Sequence, residues 1–316
     1  MLKPRALAPG DRLAVVAPAS PFDRDRFARG IDEIGRLGFA PVYDDSVFAR
    51  GRPGYLAGPP ELRAAAIRGA WRDPGIGGII GARGGYGSVQ LLPLLDRDEA
   101  RLARKPFIGC SDLTSVLSYL TTHCGMVAFH GPMVAGHLGQ GEGGSRQGEA
   151  GYDRTSLMAA LCRPEPMGEL EPAGLQVVRH GEAAGPLLGG TVTQLLGSLG
   201  TPFAFDPPQG FVLFFEEVGE RPYRLDRMTT QLRQSGLLAR ASAVVIGELP
   251  RCDEPSGEPK AHTVVAELFS DFPGPVVIGF PSGHTTGPAI TLPFGVRCRV
   301  IADARPRLVI EEAAVD

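Results

Sequence analysis

The sequence predicts an α/β protein, with an N-terminal parallel-sheet domain and a smaller, mixed α/β C-terminal domain. Three observations carry that expectation. Short apolar runs alternate with helix-length amphipathic stretches over the first 135 residues, the pattern of strand–helix–strand units. A Gly-rich polar stretch, "GHLGQGEGGSRQGEAGYDR" (136–154), then interrupts the periodicity. Beyond residue 170 strand-like runs are denser and alternate less regularly. On this basis residues 1–140 form the first domain, 141–172 a linker or mobile loop region, and 173–316 the second.

In the first part the strand candidates are "RLAVVAP" (12–18), "APVYD" (40–44), "GIGGIIGA" (75–82), "PFIGC" (106–110) and "MVAFHG" (126–131). Helical patterns at 23–37, 59–72, 87–96 and 112–123 separate them. Helices between short, wholly apolar strands indicate a parallel sheet covered on both faces. Ligands of such sheets bind beyond the carboxyl ends of the strands. In the second part strands are expected at 174–179, 211–216, 243–249, 275–280, 297–303 and 307–311, and helices near 190–199, 223–236 and 261–270. The uncharged run 183–205 is long enough to span a bilayer, but its five glycines and two prolines suit a buried loop–helix segment.

Bulk properties exclude several function classes. A formal net charge of -3 gives no electrostatic case for nucleic acid or anionic membrane as partner. The five cysteines, at 110, 124, 162, 252 and 298, are odd in number and include no CxxC pair. Reduced thiols and a cytoplasmic location follow from that usage. The opening "MLKPRALAPGDRLAVVAPAS" imitates an export signal, yet Asp11 and Arg12 abut an apolar run of only Leu13 to Ala17, which fits a first buried strand. No metal-binding motif occurs, and His130 with His137 have the wrong spacing for one helical face. The sequence calls for no metal and no cofactor.

Four stretches could carry chemistry. Ser111 in "KPFIGCSDLTSVLSYL" (105–120) sits where a strand breaks into a helix. Such a turn exposes a nucleophile at the sheet edge, but a serine there is equally an ordinary helix cap. Cys110 beside it could be the nucleophile instead, although a cysteine ending an apolar run is more often simply buried. "GARGGYGSVQLLPLLD" (81–96) is either a tight glycine turn or a loop whose N–H groups face an anion. "FVLFFEEVGERPYRLDRMTTQL" (211–232) ends an apolar strand on Glu216 and Glu217, whether for solvation or for chemistry. His284 in "GFPSGHTTGPAITLPFG" (279–295) is a loop histidine, and His130 in "FHGPM" is a competitor for any catalytic role.

Together, and in this order, the pieces "LAVVAPAS", "ARGGYGS", "FIGCSDLT", "FHGPM", "GGTVTQL", "LFFEEV…PYRLDRM" and "GFPSGH" resemble the serine LD-carboxypeptidases. That family includes the murein tetrapeptide carboxypeptidases and the microcin C7 self-immunity proteins. The resemblance implies a flavodoxin-like or amidotransferase-like first domain and a second domain that supplies an acid and a base. By motif, Ser111 would be the nucleophile, Glu216 the acid and His284 the general base. The backbone N–H groups of Gly85 and Asp112 would stabilise the oxyanion, and Arg83, Arg221 and Arg224 are placed to meet substrate carboxylates. Glu217 stands where the family has an aspartate, and Thr191 where it commonly has an asparagine.

The implied reaction is metal-free hydrolysis of an L,D-amide through an acyl-enzyme, releasing the terminal D-alanine of a muropeptide, in a homodimer. A second reading is the immunity-type hydrolase acting on aminoacyl-nucleotide amides. It asks for an aromatic in the 136–154 loop to stack on the base, and Tyr152 is the only one there. A third reading is a non-catalytic nucleotide- or anion-binding protein built on "RGGYG".

Overall fold

Apolar runs too short to make helices become parallel strands in the N-terminal part. In the computed structural model, which describes residues 1–52, 54–146 and 149–316, these are β1 (Arg12–Val16), β2 (Ala40–Val42), β3 (Gly78–Gly81), β4 (Phe107–Gly109) and β5 (Ala128–His130). They pair in parallel in the order β2-β1-β3-β4-β5, the flavodoxin-like arrangement whose strand order reverses between β1 and β3. Helices Arg24–Arg36 and Pro60–Arg72 pack onto this sheet and bury Ile34 and Ile67 completely. Asp23 caps the first of them by accepting from the Arg26 N–H.

The helix expected over 87–96 is a short 3₁₀ helix, Ser88–Leu94, because Pro93 interrupts it. After β4 the chain makes a 3₁₀ turn at Ser111–Leu113. It then runs as α-helix over Thr114–Ser118 and widens into a π-turn over Tyr119–His123.

The linker region is more structured than its composition suggests. It holds the hairpin β6 (Ser145–Arg146) and β7 (Glu149–Ala150), followed by a helix, Arg154–Cys162, capped by Asp153. Residues 147 and 148 of the expected mobile loop lie outside the described residues.

The C-terminal part continues with β8 (Gly168–Leu170), β9 (Gln176–Arg179), β10 (Gly181–Thr191), β11 (Phe211–Glu216), β12 (Ala241–Gly247), β13 (Val276–Phe280), β14 (Leu292–Phe294), β15 (Arg297–Ala302) and β16 (Arg307–Ile310). Eight of these form one mixed sheet in the order β8-β16-β15-β10-β11-β12-β13-β9. The ninth, β14, crosses back and pairs antiparallel with β5, so it closes the edge of the N-terminal sheet.

Strand β10 corrects the loop–helix expectation for the run from residue 183. Its first half pairs antiparallel with β15, and Leu187–Thr191 pairs in parallel with β11. The glycines that suggested a loop are needed for this pairing. Gly189 adopts φ +153°, and a side chain there would collide with the Phe214 carbonyl. Strands β10 to β13 thus run parallel at the sheet centre and deliver their carboxyl ends together.

Candidate active site

The carboxyl ends of the two parallel arrays meet at one cavity of about 730 Å³. The N-terminal sheet contributes Gly84 and Gly85 after β3, Ser111 after β4 and Met133 after β5. The opposite wall comes from Val218 after β11, Arg251 after β12 and His284 after β13.

Ser111 is held at φ +60°, a left-handed conformation rare for a residue with a side chain. Strand β4 ends at Gly109, where the absent side chain leaves room for Leu113 to fold back, and the turn presents Ser111 to the cavity. Strain of this kind accumulates at functional turns. Cys110, one residue earlier, is fully buried, and burial pushes its thiol far above the ordinary range. It is a poor nucleophile.

The glycine-rich turn lies directly against Ser111. A side chain at Gly84 would come within 2.8 Å of the Ser111 Cβ. The Gly84 carbonyl accepts from the Ser20 N–H at 3.2 Å. In a trans peptide the next N–H, that of Gly85, therefore points the other way, and it has no acceptor among the described residues.

The Asp112 carboxylate fastens this turn to the serine turn. It accepts from the Gly87 N–H at 3.3 Å and the Ser88 N–H at 2.8 Å, while the Ser88 hydroxyl donates to the Asp112 carbonyl at 2.5 Å. Burial raises the Asp112 carboxyl above its ordinary value despite these donors. Arg63, buried inside helix Pro60–Arg72, donates to the carbonyls of Pro18, Gly58 and Gly87 and so braces the same turn. Sequence patterning gave no signal for Arg63, because its partners are three separate loops.

Glu216 is the last residue of β11 and is fully buried. Its Oε2 accepts from His284 Nδ1 at 2.6 Å and from the His284 backbone N–H at 3.1 Å. Its Oε1 accepts from the Thr191 hydroxyl, and the Thr191 N–H is in turn held by Thr114 Oγ1 at 3.1 Å. Thr191, at the position where an asparagine is usual, therefore acts on the acid. Burial alone would raise the Glu216 carboxyl, but His284 and these donors hold it below the ordinary range. Burial would likewise lower the His284 imidazole, and the Glu216 carboxylate overcomes this and raises it above its usual value. With Nδ1–H donating to Glu216, Nε2 carries the lone pair.

Both Ser111 and His284 line the cavity, though no hydrogen bond joins them among the described residues. Such bonds are commonly loose without substrate.

The neighbouring acid does something else. Glu217 accepts from the Thr193 N–H and hydroxyl and from the Val218 N–H, and makes no hydrogen bond to His284 among the described residues. His130 is wholly buried, stacked on Phe294 with Nδ1 3.1 Å from Ser282 Oγ. Burial depresses it to about 4, so it is neutral and sealed from the cavity.

Of the expected substrate contacts, Arg83 lines the cavity. Arg221 and Arg224 do not. They are half-exposed and pair with Glu254 and Glu220 on the surface. Tyr152 cannot stack on a base. It is fully buried, with its hydroxyl donating to Glu33 at 2.8 Å. Among the described residues, no group of three or more His, Cys, Asp or Glu is placed to hold a metal ion.

Comparison with known proteins places the chain in a family. Residues 13–131 match the LD-carboxypeptidase N-terminal domain and residues 184–300 the LD-carboxypeptidase C-terminal domain. The chain belongs to the LD-carboxypeptidase family. Among LD-carboxypeptidase relatives, the murein tetrapeptide carboxypeptidase of Pseudomonas aeruginosa is 31% identical over 275 residues, covering 86% of this chain and 88% of that one. The muramoyltetrapeptide carboxypeptidase of Oxalobacter formigenes superposes with a TM-score of 0.80 at 28% identity, over 95% of this chain and 99% of its own. The microcin C7 self-immunity protein MccF of Escherichia coli is 26% identical over 335 residues, 97% of this chain and 95% of that one. A solved MccF structure, in complex with glutamyl sulfamoyl guanosine, has the same fold, with a TM-score of 0.86 over both whole chains at 22% identity.

Proposed function

We propose that this LD-carboxypeptidase-family chain is a serine-type hydrolase that releases the terminal D-alanine from a murein tetrapeptide. One observation carries the reading. A serine strained to φ +60° shares a cavity with a histidine whose far nitrogen is fixed to a buried carboxylate at 2.6 Å.

Ser111 Oγ attacks the carbonyl of the L,D-amide while His284 Nε2 takes its proton. The Gly85 and Asp112 N–H groups receive the oxyanion, each typically worth about 3 kcal/mol in the barrier. His284 then gives the proton to the leaving amine of D-alanine, and water repeats the sequence on the acyl-enzyme. Glu216 holds the tautomer and stabilises the imidazolium without itself being protonated. No step calls on a metal.

The names of the Pseudomonas and Oxalobacter relatives support a muropeptide substrate. The aminoacyl-nucleotide reading loses its stacking aromatic, since Tyr152 is buried. Five unpaired thiols support a cytoplasmic location, and among the described residues no helix is long and apolar enough to cross a membrane. A homodimer remains part of the proposal.

Incubation with purified tetrapeptide, followed by mass spectrometry, tests the function. The wild type should yield tripeptide and D-alanine, and Ser111→Ala should yield neither while keeping its circular dichroism. An intact tetrapeptide after prolonged incubation with wild type would refute the substrate. Full activity in Ser111→Ala would refute the nucleophile.

A further inference from the structure

The wall opposite Ser111 carries a charge that the mechanism above leaves unused. Arg251 lies on the turn after β12 and lines the same cavity as His284, Thr285 and Thr286. Among the described residues its guanidinium has no hydrogen bond or ion pair. Its charge is near enough to oppose protonation of His284.

The turn itself is unusual. Four non-glycine residues in the described chain have positive φ: Arg104, Ser111, Leu249 and Arg251. One is the serine just described and two sit in this turn, Leu249 at +55° and Arg251 at +59°. A left-handed conformation is strained for a residue with a side chain, and such strain persists where surroundings over-determine it. Here they do. Leu249 is buried, the Pro250 carbonyl accepts from the Gly219 N–H at 3.1 Å, and Cys252 is buried on the far side. Glu248 accepts from both the Thr286 N–H and its hydroxyl at 2.6 Å, so the Arg251 turn and the His284 loop are one clamped unit.

The geometry also assigns a side. His284 hands its proton to the leaving amine, so the leaving residue lies on the His284 wall, where Arg251 is. Arg83 lies on the other wall, next to Gly84 and Gly85, and belongs to the acyl half of the substrate. In a terminal amino acid one carbon separates the amine from the carboxylate. A guanidinium flanking the imidazole is therefore where that carboxylate falls, and guanidinium–carboxylate pairing is directional and strong.

We infer that Arg251 binds the free terminal carboxylate of the leaving residue and so restricts the site to chain ends rather than internal bonds. The inference rests on the proposed hydrolase reading for its direction, but it can be tested without turnover. The cavity fits such a ligand. Among the described residues it is lined by Arg26, Arg83 and Arg251 against one carboxylate, Asp23, which is engaged in capping helix Arg24–Arg36.

The test is calorimetric titration of Ser111→Ala protein with the tetrapeptide ending in a free acid and with its C-terminal carboxamide. The acid should bind about tenfold to a hundredfold more tightly, the range expected for a hydrogen bond to a charged group. Adding Arg251→Met should erase the difference by weakening the acid alone. Adding Arg251→Gly instead, which accepts φ +59° without strain, should do the same and guards against a folding artefact. Discrimination that survives both variants overturns the inference, as does equal or absent binding of the two peptides by Ser111→Ala protein. Wild type that cleaves neither peptide would sink the hydrolase reading alone, since the acid–amide comparison would still decide the role of Arg251.

Discussion

Glu216 Oε2 accepts from His284 twice, from Nδ1 at 2.6 Å and from the backbone N–H at 3.1 Å. The loop and the ring are thus fixed by one oxygen. The carboxylate favours the imidazolium and raises His284 above the ordinary histidine value, which is near pH ~6.5. A base must be neutral to act. Activity is therefore absent at low pH, and kcat/KM should rise with pH through one group titrating above that reference, then level off at mildly alkaline pH. The pH–rate profile of kcat/KM checks this. A profile flat down to pH ~5 would contradict a histidine base.

The two adjacent acids should separate cleanly. Glu216→Gln should lower kcat by about 10⁴-fold, since an amide holds the wrong tautomer and cannot stabilise the imidazolium. Glu217→Gln should cost far less in kcat, because Glu217 accepts from Thr193 and Val218 and does not touch His284. Thr191→Val should fall between, at about tenfold to a hundredfold, through loss of one hydrogen bond to the Glu216 carboxylate. Steady-state kinetics of the three variants ranks them, and Glu217→Gln as the worst would refute the assignment.

His130 gives the fold an acid weakness. In the folded protein it titrates near 4 because it is buried, and in the unfolded chain near ~6.5. Between those values the unfolded state binds a proton that the folded state does not. Stability is therefore present above ~6.5 and falls as pH drops through the window, by about 3 kcal/mol in total. Urea unfolding between pH 7 and pH ~4.5 should show this slope, and His130→Phe should flatten it whatever its effect at neutral pH. An unchanged slope in the variant would show that other groups carry the acid sensitivity.

Metal removal gives a separate expectation. Every group the mechanism calls on is a side chain or backbone N–H of Ser111, His284, Glu216, Gly85 or Asp112. Prolonged dialysis against EDTA should leave tetrapeptide cleavage unchanged, measured against an undialysed control. Loss of activity that zinc restores would contradict serine catalysis.

Much of this arrangement was legible in the sequence because it is local. An apolar run ending on Glu216, a strand breaking at Ser111 and a glycine turn before Ser88 each announce themselves within ten residues. The parallel N-terminal sheet followed from the alternation of strands and helices, whereas its strand order came only with the structure. What stayed hidden depends on distant partners. Strand β10 looked like a loop because Gly185, Pro186, Gly189 and Gly190 are breakers in isolation, and only distant neighbours explain the glycines: the Gly210 and Phe214 carbonyls lie against Gly185 and Gly189, and the Thr114 side chain against Gly190. Arg63 and Arg251 were indistinguishable from surface arginines, since their placement comes from loops far apart in sequence. Arg221 and Arg224 misled for the opposite reason. They sit beside the acid in sequence, but the helix after β11 carries them to the surface. Tyr152 lay in a polar, glycine-rich stretch and still became core, because Glu33 satisfies its hydroxyl.

Serine catalysis requires that Ser111 become acylated during turnover. Rapid acid quenching of wild type during tetrapeptide turnover, followed by proteolysis and peptide mapping by mass spectrometry, tests it most directly. A tripeptide acyl adduct is expected on the fragment containing Ser111, at its hydroxyl, and no adduct in Ser111→Ala. An adduct on Cys110, or turnover with no adduct at any quench time, would contradict it.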